Sequence, residues 1–235
     1  MAKTQKTQAG FSDWILRQRK RAVRAAWGVV ILVFAVLGLY AFVNVGFTPY
    51  QLSERWRLGA VEREWVSIEE VSRFLPRSLV AAEDANYCLH WGFDMAALRA
   101  AIDSGARRGG STISQQTVKN AFLWQDRSWV RKALEALLTP AAELVWTKRR
   151  MLEIYLNIIE FDEGVFGAQA AARHYFDIDA ADLNAVQAAR LAAILPNPKA
   201  RSASQPTDRV RARSRSILDG AATIARDARS ACFET

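Results

Sequence analysis

Between Ala25 and Phe47 the chain carries no charged side chain. This run limits what can fold here more than any other feature. As a helix it would span roughly 34 Å at about 1.5 Å per residue, enough to cross the hydrocarbon core of a bilayer. Trp27 near one end, with Tyr40 and Phe47 toward the other, suits the two interfaces. A cleaved signal peptide is the competing reading. It calls for a shorter apolar region followed by a small-residue cleavage site, and no convincing Ala-x-Ala follows this one. The expected organisation is a basic tail over 1–24, a transmembrane helix over 25–47 and a globular domain over 48–235.

The flanks orient the anchor. Lys3, Lys6, Arg17, Arg19, Lys20, Arg21 and Arg24 against Asp13 give the tail a net charge of +6. The stretch after the anchor mixes Glu54, Arg55, Arg57, Glu62, Arg63 and Glu64. An excess of basic residues marks the cytoplasmic side, so the N-terminus is expected there and the domain on the far side. The whole chain is formally +8, and removing the tail leaves +2, which argues against nucleic acid as a partner. Cys88 and Cys232 could pair in an oxidising compartment, but two cysteines make no framework. His90 and His174 are the two histidines, and no His/Cys cluster has zinc-ligand spacing.

Beyond the anchor the periodicity is helical and strand signals are nearly absent, so a mainly α domain is expected. A helix should start at Pro76 and run through Tyr87, and another from Met95 to Ser104, stopped by Gly105. Helical spacing resumes at Val130, Leu134, Leu137 and Leu138. Lys148 to Ile159 has an apolar side of Met151, Leu152, Tyr155, Ile158 and Ile159. Gly164 and Gly167 break that pattern, an alanine-rich helix follows through His174, and another runs from Asn184 to Leu195. The last helix, Asp208 to Ala228, should turn Ile217, Ala221 and Ile224 inward and its arginines outward.

Four stretches hold the polar residues of interest. In Gly109-Gly110-Ser111-Thr112-Ile113-Ser114-Gln115-Gln116, Ser111 or Thr112 should cap a helix, and Thr112-x-x-Gln115 has capping-box spacing. Its first turn is a natural seat for phosphate, with Gln115 and Lys119 on one face and Gln116 and Asn120 beside them. A plain capped helix explains the same residues. In Glu83-Asp84-Ala85-Asn86-Tyr87-Cys88-Leu89-His90, a continuous helix would align Glu83, Tyr87 and His90; a carboxylate beside an aromatic ring suits a general base, and a solvated helix end suits it equally. Arg127, Arg131 and Glu135, with Lys132, form a charged stripe whose ordinary meaning is a surface ion pair. Lys148 to Asn157 reads as core, with Glu153 and Asn157 free to brace neighbouring helices.

In this order, the four stretches resemble the peptidoglycan glycosyltransferases of glycosyltransferase family 51, whose patterns are Glu-Asp-x-x-Phe-x-x-His-x-Gly, Gly-Gly-Ser-Thr-x-Thr-Gln-Gln, Arg-Lys-x-x-Glu and Lys-x-x-Ile-Leu-Glu-x-Tyr-Leu-Asn. A fifth stretch, Gly164 to Phe176, is similar too, and the resemblance covers roughly residues 50–225. The departures are mild: Tyr87 for Phe, Ser114 for Thr, Met151 for Ile, and Gln169 and Gln187 where relatives often carry Glu. With no room for a transpeptidase domain, the chain resembles the monofunctional branch found in Gram-negative bacteria.

The resemblance implies a lysozyme-like α fold with a smaller membrane-touching lobe, a periplasmic domain held at the inner membrane, and polymerisation of lipid II into β-1,4 glycan strands with inversion and release of undecaprenyl diphosphate. Glu83 would be the general base on the acceptor 4-hydroxyl, supported by Asp84 and His90. Glu135 would be the second functional carboxylate, near the donor diphosphate or a divalent cation (Mg or Mn) bound there. Lys119, Arg127, Arg131 and Lys132 would hold the diphosphate, and Ser111, Thr112, Gln115, Gln116 and Asn120 would line the cleft. Lipid II, the growing strand and the inner membrane are the implied partners, with cell-division or elongation proteins as candidates. Phe122-Leu123-Trp124 with Trp129 reads either as a membrane-dipping patch or as core. A glycan hydrolase using Glu83 and Glu135, and a non-catalytic scaffold, are the rival functions.

Overall fold

A computed structural model describes residues 2–103, 110–126 and 128–234, in two compact units, Met1–Phe42 and Val43–Thr235. In the first unit, α1 spans Ala2–Tyr40, and its Leu16–Tyr40 part is long and apolar enough to cross a membrane. The helix ends at Tyr40 rather than reaching Phe47. Thr48 must be extended (φ −77°, ψ 160°) to cap the next helix, and Pro49 disfavours helical backbone before it.

The second unit is mainly helical. Its helices are α2 (Pro49–Leu58), α3 (Phe74–Glu83), α4 (Met95–Asp103), α5 (Ile113–Phe122), α6 (Trp129–Val145), α7 (Lys148–Ile158), α8 (Ala168–Phe176), α9 (Ala185–Ile194), α10 (Asp208–Arg226) and the short α11 (Ala231–Glu234). A small sheet joins β1 (Glu62–Arg63), β2 (Glu160–Asp162) and β3 (Val165–Phe166) in the order β1-β3-β2. β1 lies parallel to β3 and β2 antiparallel to it.

Two helix clusters build the domain. α3, α9 and α10 pack on one another, and α5 packs on both α6 and α7. α7 is the core element: Met151, Leu152, Ile154, Tyr155, Leu156 and Ile158 are all buried. A helix buried on nearly every side must satisfy its polar residues internally. Asn157 does so at the backbone of Val66, accepting from its N–H and donating to its carbonyl, both at 2.8 Å. Glu153 accepts from the N–H of Ile68 at 3.2 Å. Asn157 therefore braces the extended backbone at Val66, while Glu153 braces the start of the neighbouring 3-10 helix Ile68–Glu70.

α10 places Ile217, Ala221 and Ile224 in the core, as its periodicity requires. On α6 the apolar face stays outside, where Trp129, Val130 and Leu137 are exposed. The Phe122–Trp124 stretch divides: Leu123 is buried, Phe122 stacks on Trp146 with ring centroids 6.0 Å apart, and Trp124 is open to solvent. Cys88 and Cys232 are joined as a disulfide.

Candidate functional site

Glu83 is the last residue of α3, where the helix stops short of the expected Tyr87. Asp84 leaves helical geometry (φ −159°, ψ 69°) because both of its carboxylate oxygens are taken elsewhere. One accepts from the N–H of Ile113, the first residue of α5, at 3.0 Å, and the other meets His90 Nε2 at 2.8 Å. A carboxylate at a helix N-terminus is favoured by the unpaired N–H groups and the dipole there. Asp84 thus pins the Glu83 helix to α5, and Glu83, Tyr87 and His90 do not share a helix face. Tyr87 is instead core, its hydroxyl donating to the Lys148 carbonyl at 2.8 Å.

Gly92 closes this segment with φ +84°, a conformation that only glycine adopts without strain. A Cβ there would lie 2.9 Å from Thr139 Cγ2 of α6. The Gly92 carbonyl accepts from the Thr112 hydroxyl at 2.7 Å. Thr112, rather than Ser111, caps α5, and the capping box with Gln115 is complete.

Two groups contact the Glu83 carboxylate. Gln116 Nε2 donates to it at 3.1 Å, and the amide is oriented by the Tyr155 hydroxyl donating to its Oε1 at 3.1 Å. Arg213 of α10 approaches the other oxygen at 3.4 Å. Burial pushes the Glu83 carboxyl above the usual range, with Asp84 adding to the effect, while the Gln116 bond and the charges of Arg213 and Lys119 oppose it. A carboxylate short of water and of strong donors holds a proton more readily than a solvated one, as a general base at neutral pH requires.

The charged stripe of α6 is not the surface pair its spacing suggests. The Glu135 side chain is 3% exposed and receives Arg131 Nη1 at 2.7 Å and Lys132 Nζ as well. Arg131 Nε also donates to the Asp126 carbonyl at 2.9 Å, and Lys132 reaches Ser111 Oγ at 3.3 Å. Lys119, on α5, feels Arg131, Lys132, Glu135 and Glu83 together. Burial first, then the neighbouring positive charges, hold its ammonium below the usual lysine range against the pull of both carboxylates.

Four cavities with shared wall residues run past Glu83, Lys132 and Arg131. One, about 770 Å³, has Glu83, Ser111, Gln116, Arg201, Arg209 and Arg213 in its wall. A second of about 410 Å³ shares Glu83 and Ser111. A third of about 410 Å³ shares Ser111 and adds Lys132 and Gln115, and a fourth of about 220 Å³ holds Lys132 and Arg131. Ser111 is common to three of these spaces. Asp84 and Thr112 are largely buried but line the second cavity, while His90 and Asn120 act from behind the wall, where Asn120 accepts from Gln125 at 2.9 Å. Arg127 lies outside the described residues.

Sequence reading missed Arg201, Arg209 and Arg213. The α10 arginines were expected to face solvent, yet Arg213 turns toward Glu83 and its Nε is buried with no hydrogen-bond partner. Arg209 and Arg213 are four residues apart, so a stripe was visible in the sequence, but its destination was not. The described residues do not fit a resident divalent cation. No group of three or more His, Cys, Asp or Glu gathers among them, and Glu135 is already engaged by two cations.

A proton-accepting carboxyl at one point of a groove and fixed positive charge further along it suit transfer of a group from an anionic leaving group. The comparisons with known proteins agree. The transglycosylase family model matches residues 51–222. A "biosynthetic peptidoglycan transglycosylase" of Jannaschia sp. (strain CCS1) is 59% identical over 215 residues, covering 92% of this chain and 90% of the relative. Proteins of the same description from Yersinia pestis (strain Pestoides F) and Yersinia pseudotuberculosis serotype IB (strain PB1/+) are each 43% identical over 207 residues, covering 83% of this chain and 86% of theirs. The chain belongs to the transglycosylase family, and so to the glycosyltransferases.

Proposed function

We propose that this glycosyltransferase is a peptidoglycan transglycosylase that polymerises lipid II into β-1,4 glycan strands with inversion, releases undecaprenyl diphosphate, and has no transpeptidase activity. The observation that carries this reading is Glu83, poorly solvated and in the same line of cavities as Ser111, Lys132 and Arg131. Glu83 takes the proton of the acceptor sugar's 4-hydroxyl as that oxygen attacks the donor's anomeric carbon. The bond from that carbon to the diphosphate breaks, and its electron pair stays on the phosphate oxygen. Attack from the face opposite an α-linked leaving group leaves a β linkage. A diphosphate departs without a proton when its charge is neutralised, which is the role assigned to Lys119, Arg131 and Lys132, with Arg127 beside them in sequence.

Glu135 holds Arg131 and Lys132 in place. Asp84 and His90 fix the turn after Glu83; Ser111 and Gln116 face the substrate, and Thr112, Gln115 and Asn120 shape the start and end of α5. A divalent Mg or Mn ion, on this reading, arrives as a complex of the substrate's own diphosphate. Holding both reactants in line supplies much of the remaining rate, since effective concentration alone is worth roughly 7–11 kcal/mol.

The apolar helix and the basic tail support an inner-membrane location with the N-terminus cytoplasmic and the domain periplasmic. There the enzyme meets a lipid-borne substrate in two dimensions. The test is the full-length protein with purified lipid II and, separately, with finished cell wall. Polymer from the first and no fragments from the second are expected. Degraded cell wall with lipid II left intact would replace this reading with a hydrolase.

A further inference from the structure

The disulfide joins the two segments that flank the wall behind Glu83. Cys88 sits in the 3-10 turn Tyr87–Leu89, between Asp84 and His90, and Cys232 lies 144 residues later in α11. The turn has little internal support: Tyr87 N–H to the Asp84 carbonyl at 3.0 Å and Leu89 N–H to the Asn86 carbonyl at 2.7 Å. It must nevertheless present His90 to Asp84, whose other oxygen holds the start of α5.

The end of the chain is packed beneath this turn. Phe233 is buried, with its ring centroid 6.3 Å from that of Tyr87, and its carbonyl accepts from Arg149 Nη1 at 2.7 Å. Arg77 pairs with the Glu234 carboxylate through two nitrogens, and Arg229 donates to the Ala85 carbonyl at 3.3 Å. The covalent tie from this segment runs into the turn beside the candidate base.

We propose that oxidation of Cys88 and Cys232 is a late maturation step that completes the wall behind Glu83, and that the partner is a dithiol–disulfide oxidoreductase on the far side of the membrane. One cysteine thiolate attacks the partner's disulfide, forming a mixed disulfide and releasing one partner thiolate. The other cysteine thiolate then attacks the mixed disulfide, closing Cys88–Cys232 and releasing the second. Two electrons pass to the partner, which leaves as a dithiol, and the two cysteine protons go to solvent. Both cysteines are partly exposed, so the exchange has access. Cys232 follows Cys88 by 144 residues, so the bond closes only after the part of the domain between them has been exported. Disulfides persist in oxidising compartments, which fits the proposed location of the domain.

The activity readout rests on the proposed function, while thiol content and melting are read whether or not the protein polymerises anything. Full-length protein isolated from membranes is alkylated under denaturing conditions to count free thiols, then compared oxidised, reduced with dithiothreitol, and as Cys88→Ser/Cys232→Ser. No free thiol is expected before reduction. Reduction should lower the melting temperature by roughly 5–15 °C, the range for losing a long-range disulfide in a domain of this size. At a temperature where both forms are folded, kcat should fall several-fold with KM little changed. The double variant should match the reduced protein and ignore dithiothreitol. Free thiols in the membrane-isolated protein would overturn the proposal. So would unchanged turnover in folded, reduced protein, even with a lower melting temperature, because the bond would then only hold α11 in place.

Discussion

Two glutamates, Glu83 on α3 and Glu135 on α6, serve the candidate site, and their surroundings differ. Glu135, on the α6 side, is almost wholly buried yet held by both Arg131 and Lys132. Glu83, at the end of α3, is 17% exposed, with one amide at 3.1 Å and one guanidinium at 3.4 Å. Burial without strong pairing raises a carboxyl's proton affinity, whereas burial between two cations creates an ionic clamp. In the proposed reaction, one side chain type serves two ends: a proton acceptor at Glu83, and at Glu135 an anchor that fixes cations where leaving-group charge develops.

The sharpest way to break this contrast is Glu83→Gln. It keeps the shape and the Gln116 and Arg213 neighbours but cannot accept a proton, so lipid II polymerisation should fall about 10²–10⁴-fold. Near-normal strand synthesis by a folded variant would remove Glu83 from the chemistry. Lys119→Ala should follow. It removes a buried cation that feels Arg131, Lys132 and Glu135, and should weaken use of the donor more than of the acceptor. Separate titration of donor and acceptor analogues reads this, and equal losses would count against a diphosphate role.

A smaller effect is expected from Arg213→Met, which keeps the apolar stem and deletes a charge that lowers the Glu83 proton affinity. The acid limb of the kcat/KM profile reports deprotonation of Glu83 and should move to higher pH, while Arg213→Lys should move it less. An unmoved limb would mean that Arg213 does not act on the titrating group. The smallest effect is on stability. Because Glu83 binds its proton more tightly folded than unfolded, its contribution is full below the unfolded value and is lost as pH rises through the raised folded value. Glu83→Gln should therefore melt above the native protein at neutral pH, by about 2–4 °C for each kcal/mol relieved, with the gap closing in acid. Thermal melts at several pH values check it.

Local rules carried the sequence reading a long way. The capping box, the apolar side of α7 and the inward stripe of α10 were legible because each depends on residues within four positions of one another. The same reach explains the misses. α3 ends at Glu83 because Asp84 is drawn to Ile113, 29 residues away. Arg131–Glu135 has the spacing of a solvated pair, and what buries it is the packing of α5 against α6.

By itself the sequence determined the membrane-length apolar run, the helical character of the domain, and the order of the polar stretches that carry its family resemblance. These follow from composition and from periods of a few residues. Tertiary structure alone decided that Arg213 faces Glu83 across 130 residues of chain, that Cys88 meets Cys232 across 144, and that Glu83 and Glu135 are both shut away from water but only Glu135 is held between two cations. Solvent exclusion and charge proximity are set by which helices pack together, and no short-range pattern encodes that.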